Sequence, residues 1–246
     1  MGRPSRVDKK VEIVKRAMDV VGAALGLAVT APFFAVAAAF IKLNDRGPIF
    51  YRQKRAGAHM DADGVATEVY TYEMIKFRTM RTDAEKGSAR PIRATEGDPR
   101  VTRIGRLLRK TRLDELPNLI NVLKGEMSIV GPRPERPETI HDLAAAIPFF
   151  EERMRNVRPG ITGLAQINLD YLGHMDDRHE MAYLRQSLVN PFGLDYQEPT
   201  EADDMRTKIL FDFAYAAALE KFSTFLLTDL EIILRTPLVM FLGKGR

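Results

Sequence analysis

The chain has 246 residues, 45% of them apolar and 28% charged, which is enough for one or two domains with a buried core and excludes disorder as the ground state. It has no cysteine, which removes disulfides, thiolate zinc sites and thiol nucleophiles together and is compatible with a reducing compartment. A formal charge of +4 suits an anionic membrane surface or a phosphorylated substrate, whereas no RNP pattern, finger spacing or tryptophan accompanies it, so nucleic acid is not an expected partner.

Residues 20–41, VVGAALGLAVTAPFFAVAAAFI, form an uncharged run of 22, long enough as a helix to span a hydrocarbon core of about 30 Å. Two features argue for another path. Pro32 lies in the middle, where it removes a helix hydrogen bond and bends the axis. Both flanks are basic, with Lys9, Lys10, Lys15 and Arg16 before the run and Lys42, Arg46, Arg52, Lys54 and Arg55 after it, so both ends favour the cytoplasmic side. A re-entrant helix-break-helix, broken at Ala31 and Pro32, satisfies both features. Proline is tolerated in spanning helices too, so the residues alone leave both paths open. A signal peptide ending at the AVA of residues 35–37 is a third reading, disfavoured by the length of the run.

Gly47-Pro48 marks a turn, after which residues 49–51 and 69–72 read as two short strands of a hairpin around a loop at 56–66. Lys76 and Arg78 follow the second strand on either side of Phe77, where they can face a diphosphate or simply be solvated. Residues 82–99, rich in Gly, Pro, Ser and charge, predict a mobile, lid-like loop. Residues 101–112 place Ile104, Leu107 and Leu108 on one side and arginines, Arg109 among them, on another, as an amphipathic helix does. At a membrane such arginines can meet anionic headgroups.

Asp114 and Glu115 come next, behind Arg100, Arg103, Arg106, Arg109, Lys110 and Arg112. A carboxylate pair among so many cations should stay ionised, can share a divalent ion, and leaves Asp114 available as a nucleophile. Pro117 opens a short helix over 118–124, closed by Gly125, which puts the carboxylates at a positive helix end. An acidic pair in that position is most often a capping device, and spacing alone does not overturn that.

In Gly131-Pro132-Arg133-Pro134 two prolines hold one cation with little entropy left to lose. Arg158-Pro159-Gly160 repeats the device, with Thr162, Gly163 and Gln166 close by, and rigid surface turns account for both segments equally well. A helix over 141–156 carries Phe149 and Phe150. A helical stripe of Phe222, Phe225, Leu226, Leu230 and Ile233, ended by Pro237, serves either a core or an interfacial attachment. His59, His141, His174 and His179 have no ligand spacing.

Taken in order, KRAMDVVGAALGLAVTAPFF, GPIFYRQKRAG, KFRTM at 76–80, DPRVTRIGRLLRKTRLDELPNL, NVLKGEMS, GPRP and RPGITGLAQIN at 158–168 resemble the bacterial sugar transferases, the monotopic phosphoglycosyl transferases. The resemblance covers most of residues 15–170 and, loosely, the C-terminal tail; residues 175–205 look like a family-variable insertion. It implies an α+β, mainly helical fold with a small β-hairpin, an N-terminal re-entrant membrane helix in residues 1–46, interfacial amphipathic helices, and a catalytic domain over 47–246. It implies that Asp114 attacks a UDP-sugar, that Mg²⁺ sits at Asp114, and that Glu115 orients the metal or manages a proton. Arg109, Arg133, Arg158, Lys76, Arg78, Pro132, Pro134 and Gln166 are the implied phosphate and nucleotide contacts.

The implied partners are a UDP-sugar donor, a polyprenyl (undecaprenyl) phosphate acceptor and a phospholipid membrane, and a homodimer is compatible with them. The implied location is the cytoplasmic face of the bacterial inner membrane, with the chain monotopic. Where the family usually has Ser-Pro at the membrane break this chain has Ala31-Pro32, with Thr30 as the substitute hydroxyl. Two other classes compete: a scaffold that keeps the fold without turnover, against which the intact Asp114-Glu115 pair argues, and a charge-driven binder of lipid or nucleic acid, which needs no Asp114.

Overall fold

The computed structural model describes residues 7–58, 70–84, 97–169 and 201–241. The expected lid at 82–99 and the insertion at 175–205 lie mostly outside these residues, as do His59, His174 and His179. In chain order the elements are helix α1 (Lys9–Asp45), strands β1 (Phe50–Ala56) and β2 (Thr71–Phe77), helix α2 (Arg103–Lys110), a 3₁₀ turn (Leu113–Glu115), and helix α3 (Asn118–Lys124). Strand β3 (Ser128–Val130), helix α4 (Pro137–Ala146), a 3₁₀ segment (Phe150–Met154), strand β4 (Gly160–Thr162) and helices α5 (Leu164–Asn168), α6 (Glu201–Ala218) and α7 (Phe222–Phe241) follow. The chain is mostly helical, as expected.

Helix α1 has 37 residues, about 55 Å at 1.5 Å per residue. It meets the criterion of length and apolarity for crossing a membrane, with a mean hydropathy of 2.2 over its most apolar stretch and only 11% of that stretch buried. One stripe, Val11, Lys15, Asp19, Ala23, Ala37 and Ile41, is buried against the rest of the protein, while Val21, Leu25, Val29, Val36, Phe40 and Leu43 are exposed on the other side. Lys15 Nζ bonds Asp229 Oδ2 of α7 at 2.7 Å, and Tyr215 OH of α6 donates to Asp229 Oδ1 at 2.8 Å. Asp19 Oδ1 accepts from Ser128 Oγ and from the Ile129 N–H at the edge of β3. Arg16 caps α3, donating to the carbonyls of Val122 and Leu123. Lys15 and Arg16, which the sequence counts as membrane-flanking cations, are therefore held by internal partners.

The expected break at Ala31 and Pro32 is absent as a non-helical segment: α1 runs through both as one helix. Pro32 cannot donate to the Ala28 carbonyl, and Thr30 Oγ1 bonds Gly26 O at 2.6 Å, so the hydroxyl doubles a neighbouring bond instead of replacing the missing one. Past the proline, Phe33 and Phe34 reach the ring of Phe77 at the end of β2, with centroids 6.2 and 4.9 Å away, and Ala37 and Ile41 join the same cluster with Leu108.

The hairpin exists but is longer and later than predicted. β1 and β2 pair antiparallel from Phe50↔Phe77 to Ala56↔Thr71, which puts Lys76 and Phe77 inside the second strand. Alternation puts Tyr72 and Met74 on one face and Ile75 and Phe77 on the other, and both faces are buried, Tyr72 and Met74 in one apolar cluster and Phe77 in another.

A second ladder was not anticipated: β3 and β4 pair in parallel, Ser128↔Gly160 and Val130↔Thr162. The backbones of Gly131 and Gly160 approach so closely that a Cβ on Gly131 would strike the Arg158 carbonyl. The predicted 141–156 helix is split by Ile147-Pro148-Phe149, with Phe149 at φ +64°; Phe149 is exposed and Phe150 buried. Pro237 does not end the last helix, which continues to Phe241, and its buried line is Phe225, Asp229 and Ile232, with Phe222 and Leu230 exposed.

Candidate active site

The site is built where α2 turns into α3. Thr102 caps α2 through a bond from the Gly105 N–H, and the chain reverses at Arg112, φ +57°, into the 3₁₀ turn carrying Asp114 and Glu115. Pro117 sits at the N-terminus of α3, as the sequence suggests, and Gly125, φ +84°, closes it. Asn121, fully buried, locks α3 onto β2: its Oδ1 accepts from the Ile75 N–H at 3.0 Å and its Nδ2 donates to the Glu73 carbonyl at 2.7 Å. That clamp sets the 3₁₀ turn beside Lys76.

Glu115 is held between two cations. Lys76 Nζ lies 2.6 Å and Arg133 Nη2 2.9 Å from its Oε1. Burial alone would raise the Glu115 carboxyl, but Arg133 and Lys76 outweigh it and hold the group well below the usual carboxylate range. Lys76 itself is lowered by burial, with Glu115 opposing.

Asp114 differs. It is buried, and among the described residues no hydrogen bond to its carboxylate is found. Burial first, and the negative charge of Glu115 second, push its carboxyl up to about 6, against the pull of Lys76, Arg109 and Arg112. The two carboxylates therefore do not behave alike, as the sequence expectation of a uniformly ionised pair had them. One is a clamped counter-ion, and the other is an open oxygen pair poised near neutrality.

The remaining sequence-predicted residues divide. Arg109 donates Nε–H to Thr79 Oγ1 at 2.8 Å and acts on Asp114 through space. Pro132 accepts from the Gly160 N–H at 2.8 Å and Pro134 from Arg55, so the GPRP segment is tied to both β4 and β1. Arg78 packs against Gly47 and Thr82. Arg158 turns to the opposite end of α3, where its Nε donates to the Gly125 carbonyl at 3.1 Å. Gln166 lies on α5 beside Gly163, with both amide atoms buried and without a partner among the described residues.

Arg55 and Asn118 escaped the sequence reading as site residues. They line one cleft with the expected Glu115, Arg133 and Pro134 and with Met74, Met127 and Gly160-Ile161. Behind it Arg153 and Asp212 form a buried pair at 2.7 Å, and Arg153 Nη2 also donates to the Arg133 carbonyl at 2.9 Å, bracing the loop from below. Period-two alternation along β1 is the signal that separates Arg55 from the outward Arg52 and Lys54. Nothing local marks Asp212, which reaches the site from far along the chain, on α6.

For a divalent ion the donor set is asymmetric. Both Glu115 cation bonds would compete with a metal, whereas Asp114 has oxygens to offer, and Mg²⁺ sites commonly use one or two carboxylates and fill the rest with water and substrate phosphate. The residues fit Mg²⁺ at Asp114 and do not favour it at Glu115. Among the described residues no group of three or more His, Asp or Glu is gathered.

Comparison with known proteins converges on one family. The family model for bacterial sugar transferases matches residues 10–243. The chain is 34% identical over 233 residues, 94% of its length, to a UDP-N-acetylgalactosamine-undecaprenyl-phosphate N-acetylgalactosaminephosphotransferase of Aeromonas hydrophila, of which it covers 44%. It is 45% identical over 159 residues, 64% of its length, to a UDP-glucose:undecaprenyl-phosphate glucose-1-phosphate transferase of Caulobacter vibrioides, of which it covers 54%. It is 32% identical over 246 residues to the exopolysaccharide production protein ExoY of Sinorhizobium fredii, with 95% of this chain and 88% of that one aligned. The chain thus spans about half the length of the first two of these relatives and most of the third. With a match over nearly its whole length and the Asp114-Glu115 turn seated between Lys76 and Arg133, this chain belongs to the bacterial sugar transferase family.

Proposed function

We propose that the protein transfers a sugar 1-phosphate from a UDP-sugar to a polyprenyl phosphate, releasing UMP, as a membrane step of polysaccharide or glycoconjugate assembly. The observation that carries the reading is the contrast within the carboxylate pair, a buried and unbonded Asp114 next to a Glu115 fixed by two cations. Relatives named as undecaprenyl-phosphate sugar phosphotransferases supply the substrate classes.

In this mechanism an Asp114 oxygen attacks the sugar-bearing phosphorus of the donor. The bond from that phosphorus to the bridging oxygen breaks, and UMP departs with the electron pair. The enzyme is left as an aspartyl phosphosugar. An oxygen of the polyprenyl phosphate then attacks the same phosphorus, Asp114 leaves as carboxylate, and polyprenyl diphosphate sugar results. Lys76, Arg109 and Arg133 balance phosphate charge, and Glu115 keeps Lys76 and Arg133 in register for it rather than carrying a proton. Mg²⁺ at Asp114 would supply further neutralisation of the diphosphate.

A site at the membrane boundary serves both substrates, since the donor comes from water and the acceptor from lipid. We place it on the cytoplasmic face, with α1 entering one leaflet and returning through a bend at Pro32 rather than a non-helical break, a path that the exposed apolar side of α1 and its packing on the domain at both ends support. The test is nucleotide release by purified protein in detergent with Mg²⁺, polyprenyl phosphate and a panel of UDP-sugars. UMP from wild type and none from Asp114→Asn, with membrane binding equal, is the expected result. UDP in place of UMP would make it an ordinary glycosyl transferase.

A further inference from the structure

Arg55 is a half-buried cation whose hydrogen bonds, among the described residues, all go to neutral groups. Its Nη1 donates to the Pro134 carbonyl at 3.1 Å and its Nη2 to Gln53 Oε1 at 2.7 Å, while Nε is enclosed with no partner among the described residues. Glu135 acts on it through space, and Arg133 and Arg136 oppose that pull. Among the described residues no carboxylate stands within ion-pair distance of it. A partly desolvated guanidinium left in that state is costly, and its fork geometry suits it to a phosphate or a carboxylate, of which the proposed donor brings phosphates.

Its position gives the charge a use. Arg55 lines the same cleft as Glu115 and Arg133, and Lys76 bonds the same Glu115 carboxylate from beside it. Asn118, 2% exposed and with Oδ1 buried and without a partner among the described residues, lines it as well. An unfilled acceptor beside an unfilled cation suits a ligand that has a hydroxyl close to its phosphate. A nucleotide sugar has one, and a polyprenyl phosphate has none.

We propose that Arg55 is a binding residue for a phosphate oxygen of the nucleotide-sugar donor, with Asn118 accepting a hydroxyl of the same molecule. This rests on the transferase reading above and adds a subsite to it. Because Arg55 also touches Pro134, a merely bracing role has to be separated from a binding role, and the two predict opposite effects on the empty protein. A brace stabilises the ligand-free fold. An uncompensated half-buried cation kept for a ligand destabilises it, so its removal is neutral or stabilising until the ligand arrives.

The experiment is thermal melting of the full chain in detergent, alone and titrated with UMP or with a polyprenyl phosphate, for wild type, Arg55→Gln and Arg55→Lys. We expect Arg55→Gln to melt at or above wild type when empty and to bind UMP about 10- to 100-fold more weakly, the loss of a charge-assisted bond, with Arg55→Lys recovering part of the affinity. An empty Arg55→Gln protein that melts clearly lower and binds UMP like wild type would make Arg55 a brace and overturn the proposal. Weakened polyprenyl phosphate binding with UMP intact would move the phosphate to the acceptor and overturn the donor assignment. Wild type that binds neither ligand would refute the transferase reading itself.

Discussion

Asp114 is the place to test the electrostatics of the site. Its carboxyl is pushed from 3.8 to about 6, so keeping it ionised costs about 3 kcal/mol more than for an exposed aspartate at 1.36 kcal/mol per tenfold change in proton affinity. A nucleophile has to be ionised. The first chemical step, measured as single-turnover UMP release, should therefore fall on acidification with a midpoint near pH 6 and be level above about pH 7.

In Glu115→Gln the second largest cause of the elevation disappears, and Lys76 and Arg133 are freed to face Asp114. Both changes favour the carboxylate, so the midpoint must move below 6. The same variant should bind the donor worse, by about 10-fold or more, because the two cations lose the post that orients them. A fall in affinity alone fits many roles for Glu115; the acid-side displacement of the midpoint requires that Glu115 stands ionised beside Asp114. A midpoint that stays near 6 or rises would refute this account of Asp114, and a profile flat from about pH 5 to 8 would remove Asp114 as the titrating nucleophile.

Lys15→Met leaves Asp229 buried without its cation and should cost about 3–5 kcal/mol, seen as a lower melting temperature in detergent; Lys15→Met with Asp229→Leu should recover much of it. Leu227, Leu234 and Leu238 are exposed by 70, 76 and 59% on α7. Changing all three to Ser should reduce flotation with liposomes, at about 1 kcal/mol or more per leucine, and leave the melting temperature in place; unchanged flotation would remove α7 from the membrane interface. Gly131→Ala drives a methyl into the Arg158 carbonyl and should cost about 1–3 kcal/mol by calorimetry, and a neutral result would mean that the β3–β4 ladder yields easily.

Local chemistry was enough to recover the short-range parts. The α3 helix with its Pro117 entry and Gly125 exit, the hairpin's existence, the apolar run of α1 and the Asp114-Glu115 turn follow from proline and glycine geometry and from hydrophobic periodicity, which act within a few residues. Family motifs then marked Lys76, Arg109 and Arg133 as site residues, and these lie around the carboxylates.

What tertiary structure decided are the quantities that depend on distant neighbours. The unequal ionisation of two adjacent carboxylates comes from where β2 and the GPRP loop deliver Lys76 and Arg133, and no property of the dipeptide distinguishes them. Arg158, alike in sequence to Arg133, is sent to the other end of α3 because the parallel β3–β4 ladder turns its side chain toward Gly125. The ends of the strands moved for the same reason, since packing against α1 and α3 supports residues that propensity alone would have left out, and α7 continues past the exposed Pro237 to Val239, which packs on the core. Asp212 became visible only once the fold had buried it, since an aspartate draws attention when water is removed from it, and a sequence does not record that removal; for Arg55 the strand alternation marks the face, and the fold supplies the cleft.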